Sequence, residues 1–370
     1  MCSTDDSSDS EFNKEYKFIS NGFIISKDTH KPSEDAIFVG PKALGIADGV
    51  GGWSNYGIDS SKFSTELMIN CSNEVDKALM IMNSEGTEFD NMKVQYFKFI
   101  DEFKPRYSNS QNFLMKNQTK FKSLLNPQYI LKNSYEATKS CGSSTACIWT
   151  LDNDILSISN LGDSGFVLFR YIEEENSYQI FSRSHEQQHS FNAPYQLTNL
   201  PNKFKKRKLN NFCCDRPEDA DLYQFGLSNS EIYSGEIVDF SIKRNSENYP
   251  DILVLGSDGL FDNIFFEDMT RMVSKYCLNL KMKTSKDSPN PNSCLHPSEY
   301  TRDDALSLSK ILAFKAYQAS ISQHWDTPFG QKVNELIQKE KETKRSGRQF
   351  PQQWRGGKQD DISAVVAFIS

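Results

Sequence analysis

The 370-residue chain has eight cysteines, and no two of them form a Cys-x-x-Cys pair. Zinc-ribbon and thioredoxin-type readings therefore lack their ligand spacing, and the cysteines read as reduced, intracellular and mostly structural. There is no apolar run long enough to span a bilayer and no secretory signal, so no membrane span is expected. There is no excess of basic residues either: 42 Lys and Arg stand against 49 Asp and Glu, a net charge of -7. A chain-wide electrostatic clamp for nucleic acid is thereby excluded. No spacing matches a calcium-binding EF-hand loop, and no internal repeat is visible. Apolar content is only 37%, yet several segments are strongly apolar, so the shortfall falls on polar insertions.

What is present divides the chain. Residues 1–15 are acidic and serine-rich, a composition that predicts disorder. Residues 16–370 read as one domain with insertions at about 80–128 and 281–300, and as a monomer. Short strands are expected at Tyr16–Ser20, Gly22–Ile25 and Asp35–Val39. Apolar positions at Phe63, Leu67, Met68, Cys71, Val75 and Leu79 predict an amphipathic helix over Asp59–Leu79, with Asp59 as its cap. A second helix is expected over Tyr129–Lys139, and further helices over Phe261–Asn279 and Asp303–Ser322. Between Ser144 and Arg170, three apolar runs separated by Asp152-Asn153-Asp154 and Gly162-Asp163-Ser164-Gly165 predict a β-meander. Further strands are expected at Gln179–Ser182, Glu236–Phe240 and Ile362–Ile369. Basic, glycine-bearing 340–358 reads as a loop. The fold class is α+β, a central β-sandwich of two antiparallel sheets flanked by helices.

The chemistry lies in carboxylates at strand ends. Asp48 closes an apolar run and is followed by Gly49-Val50-Gly51-Gly52, glycines that let backbone carbonyls approach whatever the acid binds. Asp258-Gly259 follows Ile252–Leu255 in the same way. Asp360-Asp361 stands before the last strand, Glu34-Asp35 before an early one, and Asp163 in a meander turn. Any one Asp-Gly pair is compatible with a plain turn, and Asp152-Asn153-Asp154 is read as only that. Together, carboxylates without nearby His or Cys match Mg²⁺ or Mn²⁺. Two such ions can share a water, lower its pKa and aim it at a phosphoryl group.

The ordered segments Asp48–Gly52, Gly142–Ala146, Leu161–Gly165, Ser257–Asp262 and Asp360–Ser363 resemble the motifs of metal-dependent type 2C serine/threonine protein phosphatases. Ala47–Met68 and Arg183–Leu197 resemble the T-cell-activation, mitochondrial-type subgroup. The resemblance implies hydrolysis of phosphoserine and phosphothreonine in phosphoprotein substrates. It also implies roles: Asp48 bridges two ions and the Gly49 carbonyl ligates one. Glu34 serves the second ion, with Asp35 its neighbour. Asp258 and Asp360 hold the first ion, and Asp163 a third, weaker one. Asp48, Asp258 and Asp360 are the acids on which catalysis would depend, with Asp361 in support.

Two departures stand out. Val50 occupies the place of a histidine credited as general acid in many animal members, and valine cannot donate a proton. The family's phosphate-binding arginine is missing. Its place falls at His30, with Lys31 beside it, either a phosphate contact or a solvated loop residue. His185 and His189 lie four apart, but without a helical pattern or a third ligand they read as packing or a substrate flap. Lys205–Lys208 reads as a solvated loop or a nuclear signal, and aromatic-rich Phe89–Phe121 as an insertion packed on its own domain. The alternative to the enzyme is a pseudophosphatase that binds phosphorylated partners without turnover. The acidic start favours cytoplasm or nucleus, whereas the subgroup resemblance favours the mitochondrial matrix.

Overall fold

Strands buried on both faces read as apolar runs, because no position along them meets water. Residues 251–256 and 362–369 are buried at every position. In the computed structural model of the chain, these runs form the centre of a four-layer arrangement. The structure describes residues 16–102, 123–201, 215–226, 232–234, 249–287, 300–342 and 353–370.

The strands are β1 (Phe18–Ile25), β2 (Asp35–Val39), β3 (Ala43–Asp48), β4 (Gly142–Ser144), β5 (Ala146–Asp152), β6 (Ile155–Leu161), β7 (Gly165–Ile172) and β8 (Ser177–Arg183). They continue as β9 (Gln188–Ser190), β10 (Ala193–Pro194), β11 (Leu197–Asn199), β12 (Asp221–Gly226), β13 (Ile232–Ser234), β14 (Asp251–Gly256) and β15 (Ile362–Ile369). One sheet has the order β1-β15-β14-β7-β8 and the other β13-β12-β6-β5-β3-β2, all pairs antiparallel. The helices are α1 (Ser60–Asn83), α2 (Thr87–Glu102), α3 (Pro127–Ala137), α4 (Asp258–Phe261), α5 (Phe266–Asp287), α6 (Arg302–Ser320) and α7 (Pro328–Glu342).

Side chains alternate across each strand and so sort themselves between layers. Leu44, Ile46, Trp149, Phe166, Leu168, Leu253 and Leu255 point into the core between the sheets. Trp149 meets Phe166 edge-on at 4.7 Å, and Phe166 meets Tyr223 at 5.2 Å, the T-shaped contacts that ring quadrupoles favour. The alternate residues Val167, Phe169, Ile252, Val254, Val366 and Phe368 face α5 and α6. On the opposite side Ala36, Ala43, Ala47 and Ala146 face α1 and α3. Small residues there let the helical layer sit close to the strands. The architecture is the expected sandwich of two antiparallel sheets with helices on each outer face.

Local chemistry explains the element ends. The Asp59 carboxylate accepts from the Ser61 N–H and caps α1, whose buried Phe63, Leu67, Met68, Cys71 and Val75 form the anticipated stripe. Asn126 caps α3 and Pro127 takes its first turn, where a missing N–H costs nothing, so this helix starts two residues before the expected Tyr129. Thr301 and Asp304 form a capping box on α6.

Some elements differ from the sequence reading. Tyr16–Ser20 and Gly22–Ile25 join into β1, because β15 pairs with it without interruption through Asn21 and Gly22. A Cβ on Gly22 would lie 2.5 Å from Ile37 Cδ1, so the glycine serves close packing and not a turn. Phe261–Asn279 is divided into α4 and α5, and α5 extends through Asp287. Helix α7 was not anticipated. Phe89 and Phe97 of α2 pack against the α1 layer. The expected strand Glu236–Phe240, the run Lys205–Lys208, and residues 1–15, 103–122 and 288–299 lie outside the described residues. Among the described residues no helix is long and apolar enough to cross a membrane. Of the cysteines, Cys71, Cys147 and Cys277 are buried free thiols pushed up in pKa by that burial, consistent with a packing role.

Candidate active site

The strand ends bring the acids to one rim of the sandwich. Asp48 ends β3 directly opposite Asp35, its cross-strand partner on β2. Its backbone is pinned to Thr145 from both sides: the Asp48 N–H donates to Thr145 Oγ1 at 3.1 Å, and the Thr145 N–H to the Asp48 carbonyl at 3.0 Å. The chain then turns past Glu34 at close range. The Gly49 N–H donates to the Glu34 carbonyl at 3.1 Å, and a Cβ at Gly49 would sit 2.6 Å from that oxygen. The Val50 carbonyl accepts from Ser60 Oγ at 2.7 Å.

Asp258 opens α4 straight after β14, and Asp360 and Asp361 precede β15, the strand paired to β14. Asp361 faces inward as a clamp: its oxygens accept the N–H groups of Lys27 at 2.7 Å and Glu34 at 2.6 Å. It thereby fixes the loop between β1 and β2 against the start of β15. Asp163, in the turn before β7, accepts from Gln188 Nε2 at 3.0 Å.

Two lysines stand among these acids. Lys27 Nζ lies 2.7 Å from Glu34 Oε2 and 3.0 Å from Asp360 Oδ1. Lys358 Nζ pairs with Asp258 and lies 3.2 Å from Asp360 and 3.5 Å from Asp262. Beyond them, Lys332 of α7 pairs with Glu186 and with Asp262 at 3.1 Å.

Negative charge still outweighs positive. Burial, then the neighbouring Asp35, Asp258, Asp360 and Asp163, hold the Asp48 carboxyl well above the usual carboxylate range. Burial pushes Asp35 up to about 8, with Asp361 and Asp360 adding to it. Burial and Asp258 push Asp163 to about 8. Asp258 is raised by burial despite Lys358. Burial opposes ionisation of Asp360 too, but Lys358 and Lys27 outweigh it and lower its pKa. In Lys27 and Lys358 burial is outweighed by the surrounding acids, and both ammoniums are stabilised. A packed group of carboxylates in a low-dielectric rim calls for further positive charge.

The residues fit a hard divalent ion. The donors are carboxylates and backbone carbonyls, and Asp35 Oδ1, Asp163 Oδ1 and Asp258 Oδ1 are buried without a hydrogen-bond partner. Among the described residues no three His, Cys, Asp or Glu side chains already surround one point. The ammoniums of Lys27 and Lys358 stand between the carboxylates instead.

Glu34, Asp48, Gly49, Asp163, Asp258 and Asp360 thus share one rim. His30 and Lys31 lie on an exposed loop, with Lys31 Nζ 3.3 Å from Asp28. His189 stacks on Tyr195 at 4.1 Å and its Nε2 meets Asp215 at 3.0 Å, while β9 and β10 form a small hairpin around it. The His185 N–H donates to the Tyr223 hydroxyl at 3.4 Å. Lys27 gave no sequence signal, being one lysine in a polar loop. Lys358 could have been found, since it sits two residues before Asp360.

No family profile matches the chain. "Protein phosphatase PTC7 homolog fig" of Drosophila willistoni is 30% identical over 352 residues, covering 93% of this chain and 80% of that protein. "Probable protein phosphatase 2C 55" of Arabidopsis thaliana is 27% identical over 339 residues, covering 91% of this chain and 48% of that longer protein. Among solved structures, the photosystem II phosphatase PBCP superposes with a TM-score of 0.57 at 22% identity, covering 95% of this chain and 99% of that one. That likeness supports the fold, and the sequence relatives, together with the ordered acids, decide the family. The chain belongs to the metal-dependent type 2C serine/threonine protein phosphatases.

Proposed function

We propose that the rim holds two Mg²⁺ or Mn²⁺ ions and hydrolyses phosphoserine and phosphothreonine in protein substrates without a covalent protein intermediate. The carrying observation is the group of acids from five separate strand ends whose mutual repulsion no described lysine fully offsets. Asp48, the Gly49 carbonyl, Glu34, Asp258 and Asp360 would hold the two ions, and Asp163 a third, weaker one. Bound there, the ions would supply Lewis acidity and a water of lowered pKa.

The chain's own residues do the rest. Asp361 holds Glu34 in place through its backbone N–H. Thr145 fixes the backbone on which Asp48 sits. Lys27 is the cation on the loop between β1 and β2 that reaches the acids, so Lys27 is our candidate for the substrate phosphate, in preference to His30 or Lys31. An ammonium there acts as a point charge, less demanding in geometry than an arginine fork. With Val50 unable to donate a proton, solvent protonates the leaving alkoxide.

The test is hydrolysis of a phosphothreonine peptide by the full chain with Mn²⁺ or Mg²⁺. Activity should vanish in EDTA and fall at least about 10³-fold in Asp48→Ala and Asp258→Ala, the scale of losing a charge-stabilising group from a catalytic site. Turnover that survives chelation overturns the reading.

A further inference from the structure

Next to the acid rim lies a cavity of 260 Å³ between the end of β8 and helices α4 and α5. Asp163 forms its wall toward the acids, Phe261 and Phe266 line the opposite side, and Arg183, Ser184 and His185 line the strand side. Arg183 ends the edge strand β8, paired to Val167 of β7. Its guanidinium lies over the Phe266 ring, 4.5 Å from the centroid. Among the described residues no carboxylate stands within ion-pair distance of it. This contrasts with Arg170, on the neighbouring strand, whose fork is filled by Asp251 at 2.8 and 3.0 Å.

Neither carboxylate that lines the cavity is an ion-pair partner of Arg183. Glu186 is paired to Lys332, and Asp163 accepts from Gln188. Ser184 Oγ already accepts the Phe166 N–H at 2.9 Å, which leaves its hydroxyl proton to donate. A guanidinium held over a ring face keeps its N–H donors for a further partner, and its planar fork matches carboxylate and phosphate oxygens.

We propose that this cavity is an anion subsite that reads a second negative group on the substrate, a carboxylate or another phosphate near the one being removed. The proposal rests on the phosphatase reading of the adjoining rim. Arg183 supplies the charge, Ser184 a neutral donor, and the phenyl rings a wall that holds the guanidinium in place. Its contact is with the substrate beside the reacting phosphate and not with the reacting atoms.

The test uses the full chain with Mn²⁺ and three phosphothreonine peptides that differ only in their flanks: glutamate, glutamine or phosphoserine. The anionic flanks should raise kcat/KM by about tenfold through KM, the scale of a hydrogen-bonded ion pair. Arg183→Ala should reduce both to the glutamine value and Arg183→Lys should restore part of the difference, with p-nitrophenyl phosphate hydrolysis unchanged. The ratio of glutamate to phosphoserine peptide identifies which anion the cavity takes. Equal use of all three peptides by the wild type, or an equal loss on all three in Arg183→Ala, overturns the proposal. A second arm measures anisotropy of a labelled, unphosphorylated glutamate peptide in EDTA. Salt-sensitive binding weakened about tenfold by Arg183→Ala or Arg183→Gln supports the subsite, and binding unaffected by both overturns it. That arm decides the matter even if no turnover is found, so failure of the hydrolytic reading stays distinct from failure of the subsite.

Discussion

Replacing Asp35 by asparagine should stabilise the metal-free protein, and more strongly as pH rises. Asp35 is buried beneath the acid rim, with Oδ2 accepting from Ser363 Oγ at 2.6 Å and Oδ1 unpartnered. Burial, with Asp361 and Asp360 close by, moves its pKa from 3.8 to about 8. A raised acid pKa means the folded state binds a proton that the unfolded state has released. Asp35 therefore costs nothing below pH 3.8, where both states are protonated, and destabilises the fold progressively as pH rises toward 8. Each pKa unit corresponds to about 1.4 kcal/mol, so between pH 3.8 and neutrality the cost reaches on the order of 4 kcal/mol. Asparagine does not titrate, and its amide oxygen can still accept from Ser363.

The assay is urea unfolding of wild type and Asp35→Asn in EDTA at unit steps from pH 4 to pH 8. The two should unfold alike at pH 4, and the variant should lead by about 2–4 kcal/mol at pH 7 to 8, part of the full term being offset by imperfect amide hydrogen bonding. A difference that stays constant with pH, or that grows in favour of the wild type, would refute the electrostatic account of the rim.

Two further outcomes follow from close contacts elsewhere. Gly49→Ala places a Cβ 2.6 Å from the Glu34 carbonyl and 3.0 Å from the Ser60 carbonyl, both backbone atoms, so the turn must shift. A thermal melt should show a loss of about 1–3 kcal/mol together with loss of phosphatase activity, and an unchanged melt with full activity would contradict the crowding. Asp251→Ala leaves the fully buried Arg170 without its counter-ion and should cost about 3–5 kcal/mol in urea unfolding. Arg170→Met combined with Asp251→Leu should recover most of it, and a single-variant cost below about 1 kcal/mol would count against the pair.

Much of the fold could be read from the sequence because its elements carry their own signals. The cap at Asp59 and the stripe from Phe63 to Val75 identify α1 without reference to anything else. The apolar runs of β14 and β15 announce strands covered on both faces. Reading failed where a partner distant in sequence decides. Asn21-Gly22 looks like a turn, and only β15 carries the strand through it. Helix α7 buries only Gly330 fully, and its apolar positions Phe329, Val333, Leu336 and Ile337 stand at helical spacing, a local signal that the sequence reading passed over. The same division holds at the rim. The acids carry local glycine and strand context, whereas Lys27 reaches Asp360 across 333 positions of sequence. Arg183 lay within a quoted stretch, but its open fork is visible only once Phe266 lies beneath it.

The place of β15 in the sheet has a consequence in time. It lies between β1 and β14, and those two strands meet only through it. During synthesis β1 is made first and then waits, its pairing edge open, until a segment more than three hundred residues later emerges. Such long-range closure is slow, and an unpaired strand edge is a hazard while it lasts. The segment that ends the wait also carries Asp360 and Asp361. Completion of the sheet and assembly of the acidic rim are thus one event, and a nascent chain gains no hydrolytic centre before its first strand is safely paired.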